Sequence, residues 1–296
     1  MMAPADDLHP DEDRPVFLLG TGCQKGGTAW LHDYLGSSAE TDLGFMKEYH
    51  VWDRLDLDED LPGLKRVLKR GRTALDTLAT GGRSADVRAL RQATFMLDPD
   101  SYFDYFASLV GPGRARLTGD LTPAYGGLGA PRLAMLREGV ERRGLQMRVL
   151  MSLRDPVERI WSAVRMMQMR QPSRYPGGSA DWVRRLHAGD EVAARTRYDL
   201  TLARVREALP ADQVHVVLYE TLFEPASLAA LTADLGLSPI EPDTESRPNQ
   251  TPRTTEVLPD ELVAQVARHY RDVYEGIDQA YPHLDVRSRW ASARFL

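Results

Sequence analysis

The sequence contains a single cysteine, Cys23, so an intramolecular disulfide framework and a zinc site built from cysteines are both excluded. A reducing compartment is the simplest expectation from this cysteine usage. No apolar run approaches the length of a membrane span. Residues 1–13 are acidic and lack the basic-then-apolar order of a signal peptide, so we expect a flexible tail on a cytoplasmic protein.

Positive charge is also limited, because 37 Lys and Arg residues stand against 43 Asp and Glu residues and give a formal net charge of −6. This balance argues against a general nucleic-acid binder, and an anionic ligand must then be held by local positive charge. The length of 296 residues suffices for one large α/β domain. Since no linker interrupts the chain, we expect a single domain over residues 14–296.

Residues 16–35 predict a strand, a loop and a helix. Four apolar residues lead into a turn, and apolar residues at helical spacing begin at Trp30. The turn contains glycines at positions 20, 22, 26 and 27. Its backbone N–H groups and the start of the helix favour a bound anion, with Lys25 as a point charge and the Thr28 hydroxyl as a further donor. The stretch therefore predicts a phosphate-binding corner.

The order of residues in this loop differs from the Walker A pattern, because Lys25 precedes the glycine pair. The string Lys25-Gly-Gly-Thr-Ala-Trp-Leu31 resembles the 5′-phosphosulfate-binding loop of the sulfotransferases, usually read as Lys-x-Gly-Thr-x-Trp-Leu. The resemblance implies that Lys25 and the loop N–H groups bind the 5′-phosphate of 3′-phosphoadenosine 5′-phosphosulfate. These N–H groups belong to Gly26, Gly27, Thr28 and Ala29. Trp30 would stack near the adenine or fill the core.

A second motif follows the strand-like run at 147–153. Arg154 ends that run, Asp155-Pro156 is typical of a helix start, and a helical pattern continues to about Met169. The string Arg154-Asp-Pro-Val-Glu-Arg-Ile-Trp-Ser162 matches the 3′-phosphate motif of the sulfotransferases. The match implies that Arg154 and Ser162 hold the 3′-phosphate of the cofactor.

Residues 44–53 place basic and acidic groups among aromatic ones in a short loop or strand end. The segment resembles the Lys-Glu-x-His-x-Phe/Trp-Asp segment of the heparan-type carbohydrate sulfotransferases. That resemblance implies that Glu48 takes the proton from the acceptor hydroxyl. His50 is the rival base, since the cytosolic sulfotransferases use a histidine, while Lys47 and Asp53 would orient Glu48 or the acceptor.

Three further segments complete the predicted site. Residues 116–125 resemble the family's Gly-Glu-Lys-Ser/Thr-Pro-x-Tyr element, with Leu121 where lysine is common, and this implies acceptor contacts for Asp120 and Tyr125. The helical segment 54–116 and the Pro/Gly/Ser-rich loop 170–190 would form the acceptor side of the site. Arg253 lies where the family places a loop over the nucleotide and is a candidate phosphate contact.

The order of strands and helices predicts an α/β fold, P-loop-NTPase-like, with a mostly parallel central sheet, flanking helices and helical insertions. A buried strand is expected at 213–220, with Glu220 as a structural carboxylate, and one amphipathic packing helix is expected at about 259–280. Ligands of such sheets lie at the carboxyl ends of the strands.

The resemblance implies transfer of a sulfuryl group from 3′-phosphoadenosine 5′-phosphosulfate to a hydroxyl of a sugar, a lipid headgroup or a secondary metabolite. Adenosine 3′,5′-bisphosphate is the product, and no metal is required. Two alternatives are a P-loop kinase for a small hydroxyl compound and a nucleotide-binding protein without catalysis. The position of Lys25 and the lack of an obvious acidic metal ligand count against the kinase, and Glu48 counts against the second alternative.

Overall fold

The protein is seen here as a computed structural model that describes residues 14–82, 84–243 and 256–296. Its strands are β1 Val16–Gly20, β2 Leu117–Leu121, β3 Gln146–Leu153 and β4 Val214–Leu218. They pair in parallel in the order β2-β1-β3-β4. Within the described residues the sheet is wholly parallel, which confirms the α/β, P-loop-like class predicted from the sequence.

Helices make up most of the remaining described chain. Its first half contains α1 Thr28–Gly36, α2 Trp52–Asp56, α3 Leu61–Ala79, α4 Val87–Leu97, α5 Pro99–Leu109 and α6 Ala130–Glu141. Its second half contains α7 Pro156–Arg170, α8 Ser179–Leu186, α9 Asp190–Ala194, α10 Tyr198–Ala208, α11 Pro225–Asp234, α12 Asp260–His269, α13 Arg271–Ala280 and α14 Val286–Arg289. No helix among these described residues is both long enough and apolar enough to cross a bilayer.

The central strand β1 is buried on both faces, as expected for a strand inside a parallel sheet. Its side chains alternate, so Phe17 faces one apolar cluster and Leu18 faces the other. On the Phe17 side the rings of Tyr102 and Phe106 in α5 lie with centroids 6.2 and 5.0 Å from the Phe17 ring. Tyr102 and Phe106 of α5 are therefore core residues. On the other side α1 and α11 cover the sheet.

The strand order places three segments at one edge of the sheet. Since β1 lies between β2 and β3, the chain leaves the carboxyl end of β1 where its two neighbours also end. The loop after β1, the residue Thr122 after β2 and the residue Arg154 after β3 therefore lie at the same edge. Such a crevice at the carboxyl ends of the strands is where doubly wound folds bind ligands.

Two segments differ from the sequence-based expectation. The segment 170–190 contains α8, whose first turn is held by Glu256, because the Ala180 N–H donates to Glu256 Oε1 over 3.1 Å. The helix predicted at 259–280 is two helices, α12 and α13, separated at the buried Tyr270. Its hydroxyl donates to the His187 carbonyl over 2.5 Å. Both segments thus make contacts with residues distant in sequence. Residues 1–13 and Arg253 lie outside the described residues.

Gly119 lies where β2 closely approaches β1, so a substitution at this position tests their packing. A Cβ at this position would lie 2.2 Å from the carbonyl oxygen of Leu18, a backbone atom that cannot move without breaking the ladder. We expect Gly119→Ala to lower the free energy of unfolding by about 1 to 3 kcal/mol, as overpacking does elsewhere. Urea unfolding of the purified protein measures this change.

The matched control is Gly36→Ala at the end of α1, where an added Cβ meets nothing within 4 Å. Alanine there should leave stability unchanged or raise it slightly, since glycine is a poor helix residue. Equal unfolding midpoints for the two variants would contradict the strand packing described above.

Candidate active site

The loop after β1 is fastened to the end of β3 by backbone contacts. The Cys23 N–H donates to the Ser152 carbonyl over 2.9 Å, and the Ser152 hydroxyl donates to the Gly26 carbonyl. The Thr21 N–H likewise donates to the Leu150 carbonyl over 3.0 Å. The position of the loop is therefore set by the neighbouring strand as well as by its own sequence.

The end of the loop presents the start of α1 to a cleft. Gly27 caps the helix with φ +88°, a left-handed conformation that favours glycine, and Lys25 also has a positive φ of 75°. The first turn of α1 has no acidic residue, so its N–H groups and dipole favour an anion there. The structure therefore leaves the start of α1 open to an anion, and phosphate binding by this loop stays a prediction.

The cleft at this edge of the sheet has a volume of about 410 Å³, which is typical of a small-molecule site. Ten of the residues singled out in the sequence line it, and they come from three separate segments. They are Lys25, Gly27, Thr28, Ala29, Trp30, Lys47, Glu48, His50, Arg154 and Ser162. Trp30 is almost fully buried and stacks on Tyr34 with ring centroids 4.9 Å apart, so it contributes to the core and to the cleft wall.

Positive charge is concentrated around Lys25. Burial lowers the pKa of Lys25, and the nearby positive charges of Arg154, Arg170, Arg165 and Lys47 lower it further. Lys47 and Arg154 have carboxylate partners in Glu48 and Glu158, yet their charges still disfavour the charged form of Lys25. A ligand with several negative charges would remove that repulsion, so the cleft is suited to a polyanion.

Arg154 leaves the carboxyl end of β3 with its guanidinium over the ring of Tyr219, 4.4 Å from the centroid. Its Nη2 donates to Glu158 Oε2 over 3.2 Å, while its Nε is buried and has no hydrogen-bond partner in the described part of the chain. Ser162 lies two turns into α7 and is 3% exposed. Arg154 thus has a buried donor without a partner in the described chain, and it lines the same cleft as Ser162.

The chain around Arg154 is held by the C-terminal residues. The Asp155 N–H donates to Glu220 Oε1 over 3.0 Å, and the other carboxylate oxygen of Glu220 accepts from the Trp290 indole over 3.2 Å. The Asp155 carboxylate accepts from the Ser292 N–H over 2.9 Å. Burial raises the pKa of Glu220 to about 7. Glu220 contacts the scaffold and does not line the cleft, in keeping with the structural role expected of it.

Asp120 and Tyr125 support the site from inside the core. Both are essentially unexposed and neither lines the cleft, so the acceptor contacts expected of them from the sequence are corrected to a supporting role. Asp120 accepts hydrogen bonds from the hydroxyls of Tyr125, Thr122 and Tyr102 over 2.7, 2.6 and 3.0 Å. Burial raises the pKa of Asp120 to about 6. The Thr122 oxygen in turn accepts from the Tyr49 N–H over 3.0 Å.

Four polar side chains of the segment 47–53 form one hydrogen-bonded row. Lys47 Nζ lies 2.7 Å from Glu48 Oε1, and His50 Nε2 lies 3.2 Å from Glu48 Oε2. On its other side His50 Nδ1 lies 2.6 Å from Oδ2 of the fully buried Asp53. His50 has a φ of +51°, an uncommon conformation for a side chain of its size. The backbone is therefore bent so that one imidazole contacts both carboxylates.

This row fixes the charges of its members. Burial alone would raise the pKa of Glu48, but hydrogen bonds from His50 and Lys47 outweigh it and lower the value to about 2. Burial alone would lower the pKa of His50, but its bonds to Asp53 and Glu48 raise the value to about 9. At neutral pH His50 is therefore an imidazolium and Glu48 a carboxylate. Of the two, only Glu48 can accept a proton in this state.

Four charged residues of the cleft wall were missed by sequence reasoning, namely Asp60, Arg165, Arg170 and Arg195. Arg165 follows Ser162 by three positions on α7, so a search for charges at helical spacing from Ser162 would have found it. Arg170 lies at the end of the same helix. Asp60 and Arg195 come from distant segments without a recognisable pattern. No group of three or more metal-ligating side chains is placed to hold a metal ion among the residues that the structure describes.

Comparison with known proteins supports the fold. No protein-family model and no curated protein sequence matches the chain. A sulfotransferase of Alicyclobacillus acidocaldarius superimposes with a TM-score of 0.58 at 17% identity, over 90% of this chain and 95% of that one. The sulfotransferase domain of the Synechococcus PCC 7002 olefin synthase gives 0.45 at 16% identity, over 89% and 98%. The sulfotransferase domain of the curacin biosynthetic pathway gives 0.44 at 13% identity, over 87% and 97%. The first superposition confirms the sulfotransferase fold expected from the sequence.

The charge of His50 is directly measurable. In histidine-labelled protein, the NMR titration of His50 should have its midpoint near pH 9, above the ordinary value of about 6.5. Asp53→Asn removes the closest carboxylate, and the midpoint should then move down. His50→Gln identifies the resonance. A midpoint near 6.5 in the unaltered protein would contradict the row described above.

The same shift sets a pH dependence of stability. The folded-state pKa of His50 lies above its unfolded value, so the stability that this row contributes through His50 is fully present below about pH 6.5 and is lost as the pH rises through about 9. The unaltered protein should therefore unfold at a higher urea concentration than Asp53→Asn, and this difference in midpoint should decrease between about pH 6.5 and about pH 9.

Proposed function

We propose that this chain, which has a sulfotransferase fold, transfers a sulfuryl group from 3′-phosphoadenosine 5′-phosphosulfate to a hydroxyl group of an acceptor. One observation carries the proposal: a single cleft brings together the loop of Lys25, the pair Arg154 and Ser162, and the carboxylate of Glu48. The first two match motifs for the two phosphate groups of this nucleotide, and the third is a proton acceptor.

The residues present fit the donor nucleotide. Its two anionic ends require two separate cationic sites, and the cleft has one at Lys25 with the start of α1 and a second at Arg154. The buried Nε of Arg154 without a partner in the described chain is a donor that a phosphate oxygen would satisfy. Tyr219 and Trp30 also line the cleft and offer rings beside which a base can lie.

The donor supplies the activated sulfuryl group, and the protein supplies position and charge. Lys25 and the N–H groups at the start of α1 would stabilise negative charge on the 5′-phosphate as it leaves. Because these donors are held in place by β3, little rearrangement is required when that charge develops. Arg154 and Ser162 would hold the 3′-phosphate, which distinguishes this nucleotide from ATP.

Glu48 is the group that would take the proton from the acceptor hydroxyl. Because His50 is protonated, Glu48 is the one of the two side chains that can take up a proton. The buried Asp53 holds His50 in place through their 2.6 Å contact. Lys47 lowers the pKa of Glu48, so an anion that competes for Lys47 would raise it and make Glu48 a stronger base. Lys47 and Asp53 are positioning residues in this proposal.

The acceptor would enter from the side formed by the segments 54–116 and 170–190. Each segment contributes a charged residue to the cleft wall, Asp60 from the first and Arg170 from the second. The hydroxyl belongs to a sugar, a lipid headgroup or a secondary metabolite, since each of these presents an alcohol to the same reacting groups.

Thermal unfolding with added nucleotides tests the donor assignment. Adenosine 3′,5′-bisphosphate should stabilise the protein, by roughly 2.7 kcal/mol at about a hundredfold above its dissociation constant, and Mg-ATP should have little effect. Arg154→Ala should remove most of this stabilisation. Stabilisation by Mg-ATP alone would instead favour a kinase, and stabilisation by the bisphosphate without any sulfate transfer would favour a nucleotide-binding protein.

Glu48→Gln tests the proton acceptor. The amide cannot take up the proton, so transfer of labelled sulfate to acceptors from a hydroxyl-compound screen should fall by about 100-fold or more. Binding of adenosine 3′,5′-bisphosphate should remain nearly unchanged, because Glu48 is not among the residues assigned to the nucleotide. Substantial remaining turnover would assign the base to His50, and His50→Gln is the matched variant that measures this.

A further inference from the structure

Arg165 lies beside the residues that the proposed function assigns to the 3′-phosphate, and the inference below rests on that function. It follows Ser162 by three positions on α7, so the two side chains share one face of the helix. Arg165 lines the same cleft as Ser162 and Arg154. No motif of the sequence identifies it, because the matched string ends at Ser162.

The side chain of Arg165 is held by a fixed platform. Its guanidinium lies over the ring of Trp161, 4.8 Å from the centroid. The Trp161 indole donates to the Ser179 hydroxyl over 2.7 Å, and that hydroxyl donates to Glu256 Oε2 over 2.6 Å. An arginine stacked on a ring that is itself anchored loses little freedom when it binds a ligand, so it is preorganised.

Arg165 adds a second guanidinium to the cleft that Arg154 and Ser162 line. Burial lowers the pKa of Arg165, the carboxylates of Glu158 and Glu256 oppose this shift, and the charge of Arg154 adds to it. A phosphate monoester carries close to two negative charges and three acceptor oxygens, which matches two guanidinium groups and one hydroxyl.

We propose that Arg165 is a third binding residue for the 3′-phosphate, and that together with Arg154 it sets the selectivity of the cleft for 3′-phosphorylated over unphosphorylated adenine nucleotides. The ligand class is an adenosine nucleotide with a phosphate monoester on its 3′-oxygen. If Arg165 instead faced the 5′-phosphate, its removal would weaken binding of both nucleotides, and if it faced the acceptor, its removal would weaken neither.

Calorimetric titration of two nucleotides tests this assignment. Adenosine 3′,5′-bisphosphate and adenosine 5′-phosphate differ only in the 3′-phosphate, so the ratio of their dissociation constants isolates that group. Arg165→Gln should weaken binding of the bisphosphate by about tenfold or more and change binding of the monophosphate by less than about twofold. Arg165→Lys, which keeps the charge but not the two-donor geometry, should give an intermediate loss.

Arg185→Gln is the matched control, because Arg185 also stacks on a tryptophan, 5.2 Å from the Trp182 centroid, and does not line the cleft. It should leave both dissociation constants unchanged. Circular dichroism and the unfolding temperature without ligand establish that each variant is folded. If Arg165→Gln does not fold, the ratio of the two dissociation constants is measured with Arg165→Lys instead.

Three results would overturn the inference. If Arg165→Gln weakens the binding of both nucleotides equally, Arg165 contacts the 5′ end or attracts anions in general. If the binding of both nucleotides is unchanged, Arg165 does not belong to the nucleotide site. In either case the unaltered protein still prefers the bisphosphate, so the proposed function stands. If the unaltered protein shows no preference for the bisphosphate, the proposed function and this inference both fail.

Discussion

Repulsion among positive charges is the constraint on which the rest of this site depends. Lys25 lies close enough to Arg154, Arg165, Arg170 and Lys47 for their charges to lower its pKa together with burial. Long cationic side chains relieve such repulsion by turning toward water, as the exposed Arg170 does, and the fold limits that response for the half-buried Lys25, Arg154 and Arg165. It places the cations on separate elements, a loop, a strand end and a helix, each of which is fixed by buried hydrogen bonds. The cleft thereby keeps a positive potential that an anionic ligand can use.

Buried carboxylates connect this cleft to the scaffold. Asp120 gathers three hydroxyls beneath the segment of Glu48, while Asp155 and Glu220 join the end of β3 to the C-terminal residues. Neither group lines the cleft, yet each sets the position of a residue that does. A fourth carboxylate, the buried Asp53, contacts His50 directly, and His50 in turn contacts Glu48. Glu48, which lines the cleft, is the proposed proton acceptor, whereas the buried Asp53, Asp120 and Asp155 hold other residues in position.

The fold and the centre of the site could be predicted from the sequence because their determinants are local. The loop of Lys25 has a strand before it and a helix after it, and Arg154 and Ser162 belong to one strand end and the helix that follows. Other features depend on contacts between distant residues. The helix break falls at Tyr270, where no glycine or proline marks it, and the Tyr270 hydroxyl donates to the His187 carbonyl, 83 positions away. Asp120 resembles a site residue in sequence, but its hydrogen-bond partners place it in the core.

We propose that one cleft holds both phosphate ends of the nucleotide, with Glu48 beside the 5′ end. A crystal structure of the protein with adenosine 3′,5′-bisphosphate would show where each end lies. We expect the 5′-phosphate against Lys25 and the first N–H groups of α1, the 3′-phosphate against Arg154 and Ser162, and the Glu48 carboxylate facing the 5′-phosphate. A nucleotide bound in the reverse direction, or outside this cleft, would contradict it.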